Sequence, residues 1–497
     1  MKNYILFLLS IGFTLIGRTQ KLTIPTDTIV KTSHTVSING NTINYDAEVG
    51  MQPLWNDTGK IVATLNYTYY KKKGVKDIEE RPIVISFNGG PGSASVWMHI
   101  AYTGPKILRI DDEGYPIQPY GISDNPHSIL DVADIIYVNP VNTGYSRTIP
   151  FAGKEVERED FFGINADIKY LAEWLNTFIS RNNRWLSPKY LIGESYGGTR
   201  VSGLALELQE QQWMYLNGVI LVSPADYNAF ESDTPISSSL NFPYFTAAAW
   251  YHKMLDEELQ TKSLTDLLEE VETFTLDELM PALAKGGGLS DEKKSDLAKK
   301  MEHYSGISKK VILQHNLDVP TSYFWKELLR ESDGKTIGRL DSRYLGIDKR
   351  DAGERPDYNS ELTSWLHSFT PAINYYMSEE LKFKTDLKYN MFGPVHPWNR
   401  ENNNTRENLR KAMAQNPYLN IMFQTGYFDG ATTYFNSKYT MWQIDPSGKM
   451  KDRMKFKGYE SGHMMYLRKE DLKSANEHLR SFILEYSNTN KPAKYDR

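Results

Sequence analysis

Not one cysteine occurs in the 497 residues. That excludes disulfides, thiolate metal ligation, a cysteine nucleophile and cysteine-linked lipid anchoring. Positive charge is not in excess either. The formal net charge is -5 and the pI is about 6.1, so no basic field invites nucleic acid. The lysine run in "YKKKGVK" (70–76) reads as a solvated hairpin tip. Long hydrophobic runs are missing apart from one at the start, "MKNYILFLLSIGFTLIGRTQ". Lys2 gives it a positive n-region, Tyr4 to Ile16 an apolar h-region, and small or polar residues follow. This pattern predicts a secretory signal peptide over residues 1–20, cleaved between Gly17 and Gln20. A membrane span needs about 20 apolar residues, and this run is shorter. The expectation is export, to the periplasm or beyond, with no integral span in the mature chain.

Apolar and aromatic residues are plentiful: 40% of the chain is hydrophobic, with 32 Tyr and 10 Trp. An exported chain without disulfides must be held by its core, and this length supports one large domain with an insertion, or two or three domains. "VSINGNTINY" (36–45) carries an Asn-Gly hairpin signal, and "GKIVATLNYTYY" alternates apolar with polar positions. Four short apolar runs follow, at 82–90, 134–140, 189–195 and 218–224. They read as buried parallel strands. Between them, 165–182 and 199–213 have helical spacing. Strands alternating with helices predict a parallel α/β sheet. The alternation stops after Pro224, and residues 236–395 are helix-rich and polar. Strand signals return at 419–430 and 454–464, and an amphipathic helix over 469–486 follows. The pattern predicts a core domain over 21–235 and 396–497, interrupted by a helical cap.

The chemistry centres on "KYLIGESYGGTR" (189–200). Gly193 and Gly197 flank Ser195 as G-x-S-x-G, at the passage from a strand to a helix. Such a turn holds its apex residue in a strained backbone with the side chain exposed, which makes Ser195 a candidate nucleophile. A serine nucleophile needs a base, a group that orients the base, and donors for an oxyanion. His463 in "YESGHMM" is the candidate base, on a glycine-bearing loop after the last strand; His99, His127, His252 and His396 are weaker choices. Asp429 in "GYFDG" is the orienting acid, with Asp445 as the fallback. The order Ser195, Asp429, His463 is that of the α/β-hydrolase arrangement. The backbone N–H groups of Gly90, in "FNGGPGSAS", and of Tyr196 are the candidate oxyanion hole. Neither phosphate-binding glycine pattern is present, and the chemistry calls for no cofactor and no metal.

"FNGGPGS", "GESYGG", "GYFDG" and "SGHMM", in this order, resemble the serine carboxypeptidase family (peptidase family S10). "NPHSILDVADIIYVNPVNTGYS" (125–146) is similar to that family's next strand and loop. The resemblance implies an α/β-hydrolase fold, with a mostly parallel central sheet and an inserted helical cap. It also implies removal of residues from peptides with a free C-terminus. Asn88 and Glu194 match positions that bind the substrate's terminal carboxylate, and Met464 matches a wall of the leaving-residue pocket. Glu194 would act there as a protonated carboxyl. Three positions depart from the family. Ser86 stands for a tryptophan, Ser93 for a cysteine, and Tyr102 for the second glutamate of the carboxylate network. These departures keep a second reading open, a secreted esterase or acyltransferase on the same scaffold. A non-enzymatic binding protein is disfavoured, because every triad and oxyanion position holds a competent residue.

Overall fold

The computed structural model describes residues 22–150, 156–225, 234–488 and 490–495; the expected signal peptide lies outside the described residues. Nine strands form one sheet: β1 (Thr28–Ile38), β2 (Asn41–Trp55), β3 (Ile61–Lys72), β4 (Ile83–Phe87), β5 (Asp134–Val138), β6 (Lys189–Glu194), β7 (Gly218–Val222), β8 (Asn420–Gly426) and β9 (Met454–Tyr459). Their order is β1-β2-β3-β5-β4-β6-β7-β8-β9, and a short strand at Arg147–Thr148 pairs with β3. The first three strands and β5 pair antiparallel; from β5 to β9 every pairing is parallel.

This arrangement follows from the residues. Asn39 and Gly40 both have positive φ, 48° and 79°, which closes the β1–β2 hairpin with a turn whose twist matches the strands. Every residue of β4 to β8 is buried. Helices cover both faces there, so the runs are apolar throughout rather than alternating. Lys71 and Lys72 do not sit at a hairpin tip as expected. They end β3, and the chain then crosses β5 to enter β4. Local charge marks a solvated turn but not which strand lies beside it.

On one face, α1 (Ile164–Arg181), α2 (Tyr196–Gln211) and α3 (Thr405–Gln415) share a core with the strands. On the other, a later helix packs with the main core. The long insertion between β7 and β8 divides its apolar residues among several clusters. Its first part, from Phe242 to Ile337, has its own apolar cluster, in which Phe245 and Phe324 stack at 4.1 Å. The helix Ser360–Tyr375 instead joins the main core, with Phe369 against Trp97 at 4.7 Å.

Candidate active site

Ser195, Asp429, His463 and Gly90 all stand just beyond the C-terminal ends of parallel strands, β6, β8, β9 and β4. Loops there converge on one edge of the sheet, where open α/β folds place their ligand sites.

The turn at Ser195 needs its glycines. Ser195 has φ 58° and ψ −126°, a conformation that costs a non-glycine residue about 1–3 kcal/mol. A Cβ on Gly193 would stand 2.1 Å from the Gly197 carbonyl, and one on Gly197 would stand 2.7 Å from the Phe87 carbonyl. The strained turn is held by its backbone: Ser195 N–H donates to Val222 (3.0 Å), and Ser195 C=O accepts from Gly198 (2.8 Å) and Ala225 (3.0 Å). Gly90, at φ +105°, and the adjoining Gly89 let the early loop approach this turn. A Cβ on Gly89 would meet Tyr196 N at 2.5 Å. The two expected oxyanion donors thus belong to segments in direct contact.

His463 Nδ1 lies 2.7 Å from Asp429 Oδ2, so Nε2 is left as the basic ring atom. Asp429 is fully buried. Oδ1 accepts N–H from Ala431 (2.8 Å) and Thr432 (3.1 Å), and Thr432 Oγ1 donates to Oδ2 at 2.6 Å. Burial opposes a charged His463 ring, but Asp429 beside it outweighs burial and holds the imidazole above its ordinary range. The insertion clamps the histidine loop. His463 N–H donates to Leu340 C=O at 2.7 Å, and Arg343, paired with Asp341, donates to Ser461 Oγ at 3.0 Å. Asp341 can approach because residue 462 has no side chain; a Cβ there would lie 2.4 Å from Asp341 Cβ. Two of the other candidates are engaged elsewhere. His99 is buried against Tyr70 (2.6 Å), and Asp445 accepts from Ser447 (2.6 Å) within its own turn.

Glu194 is buried beside Ser195. Its Oε1 accepts from Asn88 Nδ2 at 3.0 Å, and its Oε2 accepts from the Tyr466 hydroxyl. Burial pushes its carboxyl up to about 7, against the lowering pull of His463 and of these two donors. Two expectations change here. Asn88, expected to touch substrate, is wholly buried and does not line the cavity. Its amide holds Glu194, and its Oδ1 accepts from Met98 N–H at 3.2 Å. Tyr102 does not itself reach Glu194, because its hydroxyl donates to Gln424 at 2.6 Å. It lies parallel to Tyr466, with ring centres 4.7 Å apart.

A cavity of about 490 Å³ connects these groups, lined among others by Gly90, Glu194, Ser195, His463 and Met464. The insertion contributes Arg339, Leu340 and Trp365 to its wall, and α3 contributes Arg406. Ser93, at the missing cysteine, also lines it and accepts from Trp97 Nε1 at 2.7 Å. Ser86 is buried within β4, off the cavity. Three contributors escaped the sequence reading: Tyr466, Arg343 and Arg200. The last bonds Asp167 at 2.7 Å and donates to the carbonyls of Asn88 (2.6 Å) and Pro91 (3.2 Å). Tyr466 alone left a trace, in its nearness to His463 in "SGHMMY". Among the described residues no cluster of His, Asp or Glu could hold a metal ion.

A family model described as serine carboxypeptidase matches residues 60–435. Serine carboxypeptidase-like 8 of Arabidopsis thaliana is 27% identical over 177 residues, which cover 34% of this chain and 39% of that protein. Serine carboxypeptidase-like 15 of the same plant is 26% identical over 312 residues, covering 58% and 62%. The chain thus matches less than two thirds of the length of these relatives. Among solved structures, Kex1(Δ)p, a prohormone-processing carboxypeptidase from Saccharomyces cerevisiae, shares the fold at a TM-score of 0.54. It is 15% identical, with 89% of this chain and 92% of that chain covered. With a matching family model across most of its length and an α/β-hydrolase sheet that brings the four signature loops to one cavity, the chain belongs to the serine carboxypeptidase family.

Proposed function

We propose that this protein is an exported serine carboxypeptidase that hydrolyses the last peptide bond of chains with a free C-terminus. The observation that carries the reading is a buried carboxyl, Glu194, next to a serine in a strained turn, with both groups lining one cavity with His463. Ser195 Oγ attacks the scissile carbonyl while His463 Nε2 takes its proton. Asp429 keeps Nδ1–H in place and stabilises the imidazolium. The N–H groups of Gly90 and Tyr196 receive the negative oxygen of the tetrahedral intermediate. His463 then protonates the departing amine, leaving an acyl-enzyme on Ser195. Water, deprotonated by the same histidine, releases the shortened peptide. Protonated Glu194, oriented by Asn88, donates a hydrogen bond to the substrate carboxylate, and Met464 walls the leaving residue.

Export is supported by the signal-like pattern in the first 20 residues of the sequence. A second reading, an esterase or acyltransferase using the same acyl-enzyme, is favoured by one observation: a phenol rather than a second carboxyl faces Glu194. Product analysis on a peptide library with free and amidated C-termini separates the two, and fluorophosphonate labelling of Ser195 tests the nucleophile they share. Stepwise loss of C-terminal residues from free peptides is the expected result. Turnover of simple esters with none of peptides selects the second reading.

A further inference from the structure

The Tyr466 side chain does not belong to the triad or the oxyanion hole, yet its hydroxyl ends on Glu194 Oε2. Its ring is buried and lies almost parallel to that of Tyr102, 5° between planes at 4.7 Å. Tyr102 is itself anchored: its hydroxyl donates to Gln424 at 2.6 Å, and Gln424 Nε2 donates to the Tyr459 hydroxyl at 2.9 Å. Tyr466 therefore has little rotational choice. Stacking fixes the plane of its ring, and Glu194 fixes the direction of its hydroxyl.

We propose that Tyr466 is a positioning residue for recognition of the substrate's terminal carboxylate, with its hydroxyl holding Glu194 in place and the Tyr102 ring holding Tyr466. The proposal rests on the reading of Glu194 given under the proposed function. A hydroxyl can donate to a carboxylate or to the carbonyl oxygen of a carboxylic acid, so Tyr466 can partner Glu194 in either protonation state and leave the acid's single proton for the substrate. Its own ionisation lies far outside the working range, because burial and the neighbouring Glu194 push the phenol well above its usual value. The groups that face Glu194 are His463, Tyr466, Asn88 and Asp429. Tyr466 therefore orients Glu194 without adding a second negative charge.

Three substrates test this: one peptide with a free C-terminus, the same peptide amidated, and an N-blocked amino-acid ester without a carboxylate. Tyr466→Phe keeps the stacked ring and removes one oxygen. KM for the free peptide should rise by up to about 10-fold, the upper scale of one lost neutral hydrogen bond. The alkaline limb of its pH profile should move upward, because the carboxylate form of Glu194 loses a donor. Rates on the ester should stay within about two-fold. Tyr102→Leu, which removes the stack, should reproduce the KM effect, whereas Tyr102→Phe should not. Equal losses on all three substrates, or no change on the free peptide, overturn the proposal. If the wild-type enzyme treats free and amidated peptides alike, the carboxylate role of Glu194 itself fails and the proposal falls with it. Melting temperatures of the variants show that the KM change does not come from unfolding.

Discussion

Arg200, on the first turns of α2, donates to the Asn88 carbonyl at 2.6 Å while its other edge holds Asp167 at 2.7 Å. Both side chains of this ion pair are fully buried. The helix that begins after Ser195 thus also grips the loop that carries Gly90, which ties together the two proposed oxyanion donors. Arg200→Met should lower kcat on peptide and ester substrates alike, by about 10- to 100-fold, since a displaced donor weakens transition-state binding. It should also destabilise the fold by about 3–5 kcal/mol, because Asp167 is left buried without its countercharge. Arg200→Met paired with Asp167→Leu should recover much of the stability and little of the rate. Denaturant unfolding and steady-state kinetics check both.

Ser195→Ala and His463→Ala should each reduce kcat by about 10⁴-fold or more, and the double variant should be no worse, because the two act as a unit. Asp429→Asn should cost about 10²- to 10⁴-fold by disturbing the tautomer and removing the countercharge. Near-normal turnover by folded Ser195→Ala removes the serine from the mechanism.

Glu194 makes activity and stability pH-dependent with defined signs. Below about 7 its carboxyl is protonated and able to donate, so free-carboxylate peptides should lose kcat/KM as pH rises through that value. Esters should not. Both substrate classes should lose rate in acid, from a point above the usual histidine range, because Asp429 holds His463 protonated to higher pH. Glu194→Gln should abolish the alkaline limb for free peptides and keep activity near neutral pH. Stability follows the same proton. The folded-state value of about 7 is above the ordinary 4.5. The stabilisation is therefore complete below 4.5 and is lost as pH rises through 7, by about 3 kcal/mol at most. Denaturant midpoints of wild type and Glu194→Gln across that range measure the difference.

Arg339 and Arg406 line the cavity, and Glu194 is the acidic residue in its described wall. Their field should favour substrates with acidic side chains near the scissile bond over basic ones, by several-fold at low salt and less at high salt. Peptides differing only by Glu or Lys at the penultimate position test this, and Arg406→Gln should narrow the gap.

Most of what could be read from sequence was local. Buried strands are continuous apolar runs, and a strained serine turn requires glycines at fixed spacing, so Ser195, Asp429 and His463 were all legible where their loops lie. What escaped depends on distant segments meeting. Arg200 looks like an ordinary helical arginine until the Asn88 carbonyl is beside it. Tyr466 meets Glu194 only because its loop returns over it, and Asn88 is buried with its amide engaged by Glu194 and Met98. The division of the insertion was hidden for the same reason: amphipathic helices do not state which core will receive their apolar face.

The serine turn follows β6, whereas the acid and the base follow β8 and β9, with the whole insertion between. The order of synthesis therefore completes the proposed triad late. A nascent chain that has reached α2 carries the serine without its base, and one that has completed the insertion still lacks His463. On the proposed mechanism the serine gains its proton acceptor only after β9 has added to the edge of the sheet, so an unfinished polypeptide would lack a complete triad.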